Sequence, residues 1–516
     1  MTQRRDEEIR TLRKSGQLDE AFDLAQQSLE EAKDNIWLKR EIGWVCYGKA
    51  KYHAEAGEVE QAMAIFETIA KLGFTTSEET LLAKNLTWMC ATIAKHFANT
   101  YKGKDRDEEF RRNVKQIVGT LTLLVELMQR IPIEKPSDGY SLFMSNLHKL
   151  LKDRPGYAAV FKNVGFDSFS DADCRPFNTE SGRSIIPLAE QIYLAYTKAL
   201  LSGFNKNYDA AKRLAEEFLP VLNAVKLSNP EYTWTDYNIT KLLIALNRMT
   251  DAKQSCIDFI KRKSKEFWAW ECLGQIYEAS DVELSMACYC MALSCEADDD
   301  FLVSVMEGAA NVFAKAGRFN EARTEVDRVV KIRMDKWHRI PSSLTEMMDA
   351  DWYRAAQSLK SNKRFYDEHR DTAMGLVFGA QKPIVITHLN VEKKFANYIT
   401  DDGKVGFFNY ARLKNKGINE NKIYLVTFVK EATSGPSNVL SVKEVAIDTD
   451  YPTLRRMVSG AIKIIASGVG FVENCFVPSQ LIQQSGLTNG QTIKVTAIRT
   501  YDRKKSALSW TVVKIE

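Results

Sequence analysis

The chain has 516 residues, 45% of them hydrophobic and 27% charged, and a formal net charge of +4. That length predicts more than one domain with a sizeable core. No apolar run is long enough to span a membrane, and MTQRRDEEIR has no apolar segment of the kind a signal peptide needs. The nine cysteines show no paired framework, so the expectation is a soluble protein of a reducing cytoplasm. The charge is unevenly spread. Residues 381–516 hold 19 Lys+Arg against 11 Asp+Glu, and the remainder 52 against 56. A basic surplus confined to the tail suits contact with a polyanion there.

Residues 4–32 read as a first helical repeat. Ile9 and Leu12 lie on one helix, Gly16-Gln17 make a turn, and Ala21, Leu24, Ala25 and Ser28 line a second helix. A longer helix is predicted over Trp37–Ala56, broken at Gly57, with Ala62, Phe66 and Ile69 on its successor. Helices follow over about 77–102 and 106–130, and Pro132 and Pro136 interrupt. Two short helices over 138–165 lead to a polar, aromatic-bearing stretch, residues 165–187. A loop of this length is uncommon inside a solenoid and often functional. Asp171, Asp173 and Arg175 are its candidate site; the alternative is an insertion packed over the convex face. Helices resume over 187–201, 208–225, 234–246 and 251–263.

The clearest repeat runs from Phe267 to Met334. Trp270, Leu273, Gly274 and Tyr277 have the spacing W-x2-L-G-x2-Y, and Tyr289, Ala292 and Leu293 supply the next helix. A second unit places Ala309, Ala310 and Phe313 before Gly317, Ala322, Val326 and Val329. This stretch resembles a tetratricopeptide repeat (TPR), a family whose stacked helix pairs form a superhelix that grips a protein partner on its concave face. Cys288, Cys290 and Cys295 lie close in sequence, but i and i+2 point to different helix faces, which favours buried apolar packing over a metal site. The acidic run 296–300 falls where a helix starts, and N-capping explains it. Residues 337–380 are expected to cap the solenoid's apolar end.

Near residue 380 the texture changes to period-2 runs with β-branched residues. Ser467-Gly468-Val469-Gly470-Phe471-Val472, Cys475-Phe476-Val477-Pro478-Ser479 and the later Gly490-Gln491 with Ile493 and Val495 resemble the motifs of a cold-shock domain, a five-stranded OB-fold. The resemblance implies single-stranded RNA or DNA stacked on Phe471 and Phe476, although Val469, Pro478 and Ser479 depart from the family's aromatic set. Lys463, Tyr501, Arg503, Lys504 and Lys505 are further candidate contacts; the last three are alternatively a solvated hairpin tip. Trp510 is either a contact or core. A first copy over about 383–446 resembles the same fold more loosely, with Phe407, Asn409 and Tyr410 expected on one face and Phe408 in the core.

No catalytic set emerges. Phosphate-cradling glycine loops, His-Glu-x-x-His and Gly-x-Ser-x-Gly are absent from the sequence, and its six histidines are scattered. The expected fold is mainly α. A TPR-like solenoid spans 1–336, capping helices 337–380, and two small all-β OB-fold (cold-shock-like) barrels 381–450 and 454–516. The expected function is a non-catalytic adaptor, without cofactor or metal, that joins a protein partner to single-stranded nucleic acid, RNA above DNA. The combination is similar to proteins of bacterial mobile-island and phage-defence operons. The alternative is a purely protein-binding scaffold; an enzyme sited in 165–187 is the third reading.

Overall fold

A computed structural model describes the chain apart from residues 1–4, 181, 183, 337, 412, 414–416, 433, 447–449, 503 and 504. It is helical as far as residue 378 except for one small hairpin, and is followed by β-sheets. The chain forms two units, residues 1–252 and 253–516.

The first unit carries α1 (Arg5–Lys14), α2 (Leu18–Gln27), α3 (Ile36–Ala56), α4 (Val59–Leu72), α5 (Thr80–Thr100) and α6 (Lys104–Met128). After these come α7 (Asp138–Leu151), α8 (Tyr157–Val164), α9 (Leu188–Phe204), α10 (Tyr208–Ser228) and α11 (Thr235–Ala245). Many helices pack on their neighbour but one: α1, α3, α5 and α7 form one row, and α4, α6 and α8 another. Local chemistry sets the helix ends. Asn35 Oδ1 accepts from the amides of Trp37 and Leu38 to start α3, and Gly57, at φ 76°, closes it in the left-handed conformation that favours glycine. His148 of α7 is buried, with Nδ1 2.9 Å from Tyr157 Oη of α8, and Tyr157 stacks on Phe161 at 4.3 Å. Burial lowers the imidazole pKa to about 4.

Residues 165–187 fold against these helices. Phe166 packs on Tyr196 and Phe218, with ring centroids 4.9 and 4.8 Å away. A two-residue hairpin, β1 (Phe177–Asn178) with β2 (Ser184–Ile185), projects from the segment. Asp173 is buried and accepts from Ser141 Oγ at 2.5 Å and from the Ser170 amide at 2.9 Å, whereas Asp171 and Arg175 are exposed. The three candidates of this segment therefore do not converge. Asp173 serves as the anchor that ties the loop to α7.

Helix α12 (Met249–Arg262) leads into the second unit, with α13 (Phe267–Tyr277), α14 (Val282–Leu293), α15 (Val303–Lys315) and α16 (Phe319–Asp335). Trp270 is fully buried and donates from Nε1 to the Ser264 carbonyl at 2.8 Å. Tyr289 of α14 is wedged between α13 and α15. A Cβ on Gly274 would stand 2.9 Å from its ring, and one on Gly308 would stand 2.7 Å from its hydroxyl. Small residues here let two helices close over one large ring. Cys288 and Cys290 are buried on the same helix, and burial pushes their thiols up. Helices α17 (Ser342–Asp349), α18 (Asp351–Ala355) and α19 (Lys363–Phe378) follow, and α19 lies along α14. Buried Glu325 of α16 fixes it there, accepting from Tyr366 Oη, from Asn362 Nδ2 at 2.6 Å and from Arg328 at 2.9 Å. Burial holds this carboxyl above the usual range.

The tail holds two sheets. The first comprises β3 (Lys382–Asn390), β4 (Phe395–Thr400), β5 (Val405–Asn409), β6 (Ile423–Lys430) and β7 (Asn438–Glu444), in the order β5-β4-β3-β6-β7. A parallel bridge between Phe408 and Ser437 joins its two ends. The second comprises β8 (Arg455–Ala461), β9 (Lys463–Ile464), β10 (Gly470–Val472), β11 (Cys475–Val477), the short helix α20 (Ser479–Gln484), β12 (Thr492–Asp502) and β13 (Ala507–Ile515). Its order is β8-β12-β13-β11-β10-β9. Only Ile462 separates β8 from β9, so one bent strand stands at both ends and closes the ring. Counting that strand as the first, both sheets have the same connectivity, with the third strand parallel to the fifth. Each has its own interior, around Ile384, Tyr398, Phe408 and Tyr424 in one and Val472, Cys475, Val495 and Val512 in the other. A further core lies between them, where Val385, Ile399 and Ile423 meet Leu454 and Ile498.

Two expectations follow. Gly274→Ala and Gly308→Ala each cost about 1–3 kcal/mol by overpacking, measured by urea denaturation. Adding Tyr289→Phe recovers part of the loss at Gly308, where the hydroxyl clashes, and none at Gly274. The second concerns pH. The unfolded chain protonates His148 near pH 6.5, the folded one only near 4. Its contribution is thus present above pH 6.5 and lost as the pH falls toward 4, amounting to about 3 kcal/mol. His148→Gln flattens that part of the stability profile.

Candidate nucleic-acid interface

Strand alternation decides which tail residues are offered to a ligand. In β10, Gly470 and Val472 point inward, so Phe471 points out; in β11, Cys475 and Val477 point inward, so Phe476 points out. Gly470 leaves room for Ile462 and Ile482, since a Cβ there would stand 2.9 and 3.1 Å from their side chains. Phe471 pairs with Phe476 across the sheet and with Lys463 of β9 on its other side. The two rings stand 5.8 Å apart at 65°, and Phe471 is 37% exposed. Lys463 is exposed and has no carboxylate partner among the described residues. The structure thus brings Lys463, Phe471 and Phe476 into one row across three strands. Two angled π faces beside an ammonium are the groups that base stacking and phosphate neutralisation call for.

Other candidates lie apart from this row. Phe476 pairs with Thr511, and Thr511 with Ile498; Tyr501 lies three residues further along β12, paired with Leu508. It is exposed at the hairpin end, near Lys505, whose amide donates to Asp502 Oδ1 at 3.2 Å. Arg503 and Lys504 lie outside the described residues. Trp510 is half-buried against the interior of the second sheet. The guanidinium groups of Arg456 and Arg499 lie 4.3 and 4.9 Å from its ring centroid, and Arg456 also donates to Cys475 Sγ at 3.2 Å. Packing thus occupies Trp510.

In the first sheet Phe407 points outward and pairs with Asn397 of β4, while Phe408 is fully buried. Tyr410 does not share the face of Phe407. Its amide donates to the Lys394 carbonyl, and its ring packs against the sheet's interior, on the side of Phe408. A residue two positions from an inward one points inward too, which overrides the expected grouping with Phe407. The outward partner of Phe407 is Phe395 of β4, at 5.5 Å and 76°. The alternation of Phe395 with buried Ala396 and Tyr398 carries that signal in the sequence.

In the second sheet, five strands in a closed ring, with the third parallel to the fifth and aromatics facing out from the second and third, have the arrangement of a cold-shock-like OB-fold. Residues 456–515 match the family described as S1/CSD-like domain 2 of the TOTE conflict systems. Residues 233–373, from α11 to within α19, match a domain of unknown function (DUF7017). The first sheet lies outside both matches. A comparison with curated proteins gives no match. No helix among the described residues is long and apolar enough to cross a membrane.

Because Phe471 and Phe476 face outward, replacing both with Ala leaves the interior packing intact, and the expected change in stability is within about 1 kcal/mol. Trp510→Ala removes packing from the interior and costs about 3 kcal/mol. Thermal unfolding of the three proteins checks the contrast.

Proposed function

We propose that this chain is a non-catalytic adaptor of a bacterial conflict, or defence, system. Its helices form a TPR-like solenoid that holds a protein partner, and its tail forms two cold-shock-like barrels that hold single-stranded nucleic acid, RNA in preference to DNA. The outward pair Phe471–Phe476 beside Lys463, within a segment that matches an S1/CSD-like domain, carries the nucleic-acid part. The protein-binding part is supported by exposed large apolar side chains on α3 and α5. Trp37, Leu81 and Trp88 are 52, 60 and 43% exposed, and Tyr47 donates to Asn85 Oδ1 between the two helices at 3.2 Å. Large exposed aromatics of this kind mark protein contacts. A non-catalytic role fits the use of Asp173 as a loop anchor.

Fluorescence anisotropy of the full chain with labelled single-stranded RNA and DNA, at two salt concentrations, tests the proposal. The expected result is saturable binding that weakens as salt rises, tighter for RNA. Phe471→Ala with Phe476→Ala weakens it by about 10- to 1,000-fold, as the loss of one or two stacked bases requires. A folded wild-type chain without salt-sensitive binding overturns this proposal and leaves a protein scaffold whose barrels are contact surfaces.

A further inference from the structure

The first sheet repeats more than the connectivity of the second. Phe395 lies on its second strand and Phe407 on its third, as Phe471 and Phe476 do in the other sheet. Both pairs are outward and edge-to-face, at 5.5 Å and 76° in one and 5.8 Å and 65° in the other. Both have lysines at hand. Lys393 and Lys394 form the turn directly before Phe395, and neither has a carboxylate partner among the described residues. Phe471 and Phe476 are direct cross-strand partners, whereas Phe395 and Phe407 are diagonal, facing Asn409 and Asn397. In both sheets outward aromatic rings on the same two strands are costly to keep unless something covers them.

The two pairs also border one seam. Ile399, two residues from Asn397 and hence about 7 Å along the strand from the row of Phe407, is buried in the core between the sheets. Ile498 is buried from the other side of that core, and two strand spacings, about 10 Å, separate it from Phe476. The seam is dry: Val385, Ile399 and Leu454 are fully buried. It packs the two sheets directly against each other, with the aromatic pairs on either side of the apolar contact.

Resting on the proposed nucleic-acid role of the second sheet, we infer that the first sheet is a second stacking station, built on Phe395 and Phe407 with Lys393 and Lys394. A single strand of RNA or DNA crosses the seam and engages both stations at once. Two stations on one chain turn the second contact into an intramolecular one, so affinity rises with oligonucleotide length beyond what one station gives.

The test uses the full chain and labelled oligo-U and oligo-dT of about 6 and about 20 nucleotides, since one OB-fold covers about 4–16. In wild type the longer oligonucleotide binds at least about 10-fold tighter than the shorter. Phe395→Ala with Phe407→Ala brings the longer one back to the affinity of the shorter. Phe395→Leu with Phe407→Leu, which keeps the apolar bulk and the fold but removes the π faces, does the same to a smaller degree. Phe471→Ala with Phe476→Ala weakens binding of the shorter oligonucleotide by about 10- to 1,000-fold. If both changes at Phe395 and Phe407 leave the length gain intact, the inference is overturned while the role of the second sheet stands. If wild type binds neither length in either chemistry, the proposed nucleic-acid role falls with it. A length gain restricted to oligo-U assigns the two-station path to RNA, and one restricted to oligo-dT assigns it to DNA.

Discussion

Side chains on a strand point alternately to its two faces, and closing a sheet into a ring gives those faces unequal tasks. The inner face has to be filled with side chains. The outer face is free for whatever else the molecule needs. In the tail the outer face is divided again. Val385, Ile399 and Ile423 of one sheet are spent on Leu454 and Ile498 of the other. What remains outward in the adjacent rows includes Phe395, Phe407, Lys463, Phe471 and Phe476, beside polar Asn397, Asn409 and Thr511. The candidate interface is thus the part of the outer surface that internal packing and sheet-to-sheet packing both leave over.

The helical part follows a different rule. Its elements meet through complementary sizes, with Tyr289 filling the space that Gly274 and Gly308 leave. Where polar groups are buried they act as fasteners. Asp173 fastens a long loop to α7, and Glu325 fastens α19 to α16 through Asn362, Tyr366 and Arg328. A buried carboxylate is stable only when its acceptor sites are met, so each of these groups specifies one docking geometry for the element it holds. In Asp173 a single oxygen, Oδ2, takes the Ser141 hydroxyl, the Ser170 hydroxyl and the Ser170 amide.

Legibility from sequence tracked the distance between interacting residues. The Trp270–Tyr277 spacing lies within one helix, and its meaning is local. Phe471 and Phe476 face each other across a tight turn, so a short motif contains both. Phe395 and Phe407 also face one sheet surface, but β4 runs on through Asp401, Asp402 and Gly403 before returning, and no short motif spans the pair. Tyr410 shows the other failure. It follows the strand's last residue, and its parity with Phe408 outweighs its chemical likeness to Phe407. Nothing in the sequence distinguishes Tyr501 from a member of the Phe471 row, because strand register across β12 and β13 is set by a bulge at Thr496/Ala497. Trp510, open to two readings in sequence, is fixed by Arg456 and Arg499, which meet it only through pairing across three strands.

The bend at Ile462 has a consequence for the kind of partner the second sheet accepts. One strand pairs with β12 before the bend and with β10 after it, so among the described residues neither end of the strand order is left wholly open. An open edge displays a row of unmet amide and carbonyl groups, which invites peptides to join as an extra strand and identical chains to aggregate. A closed ring withholds that invitation. By the same bend, the two outermost places in this sheet's strand order are no longer open to an added strand.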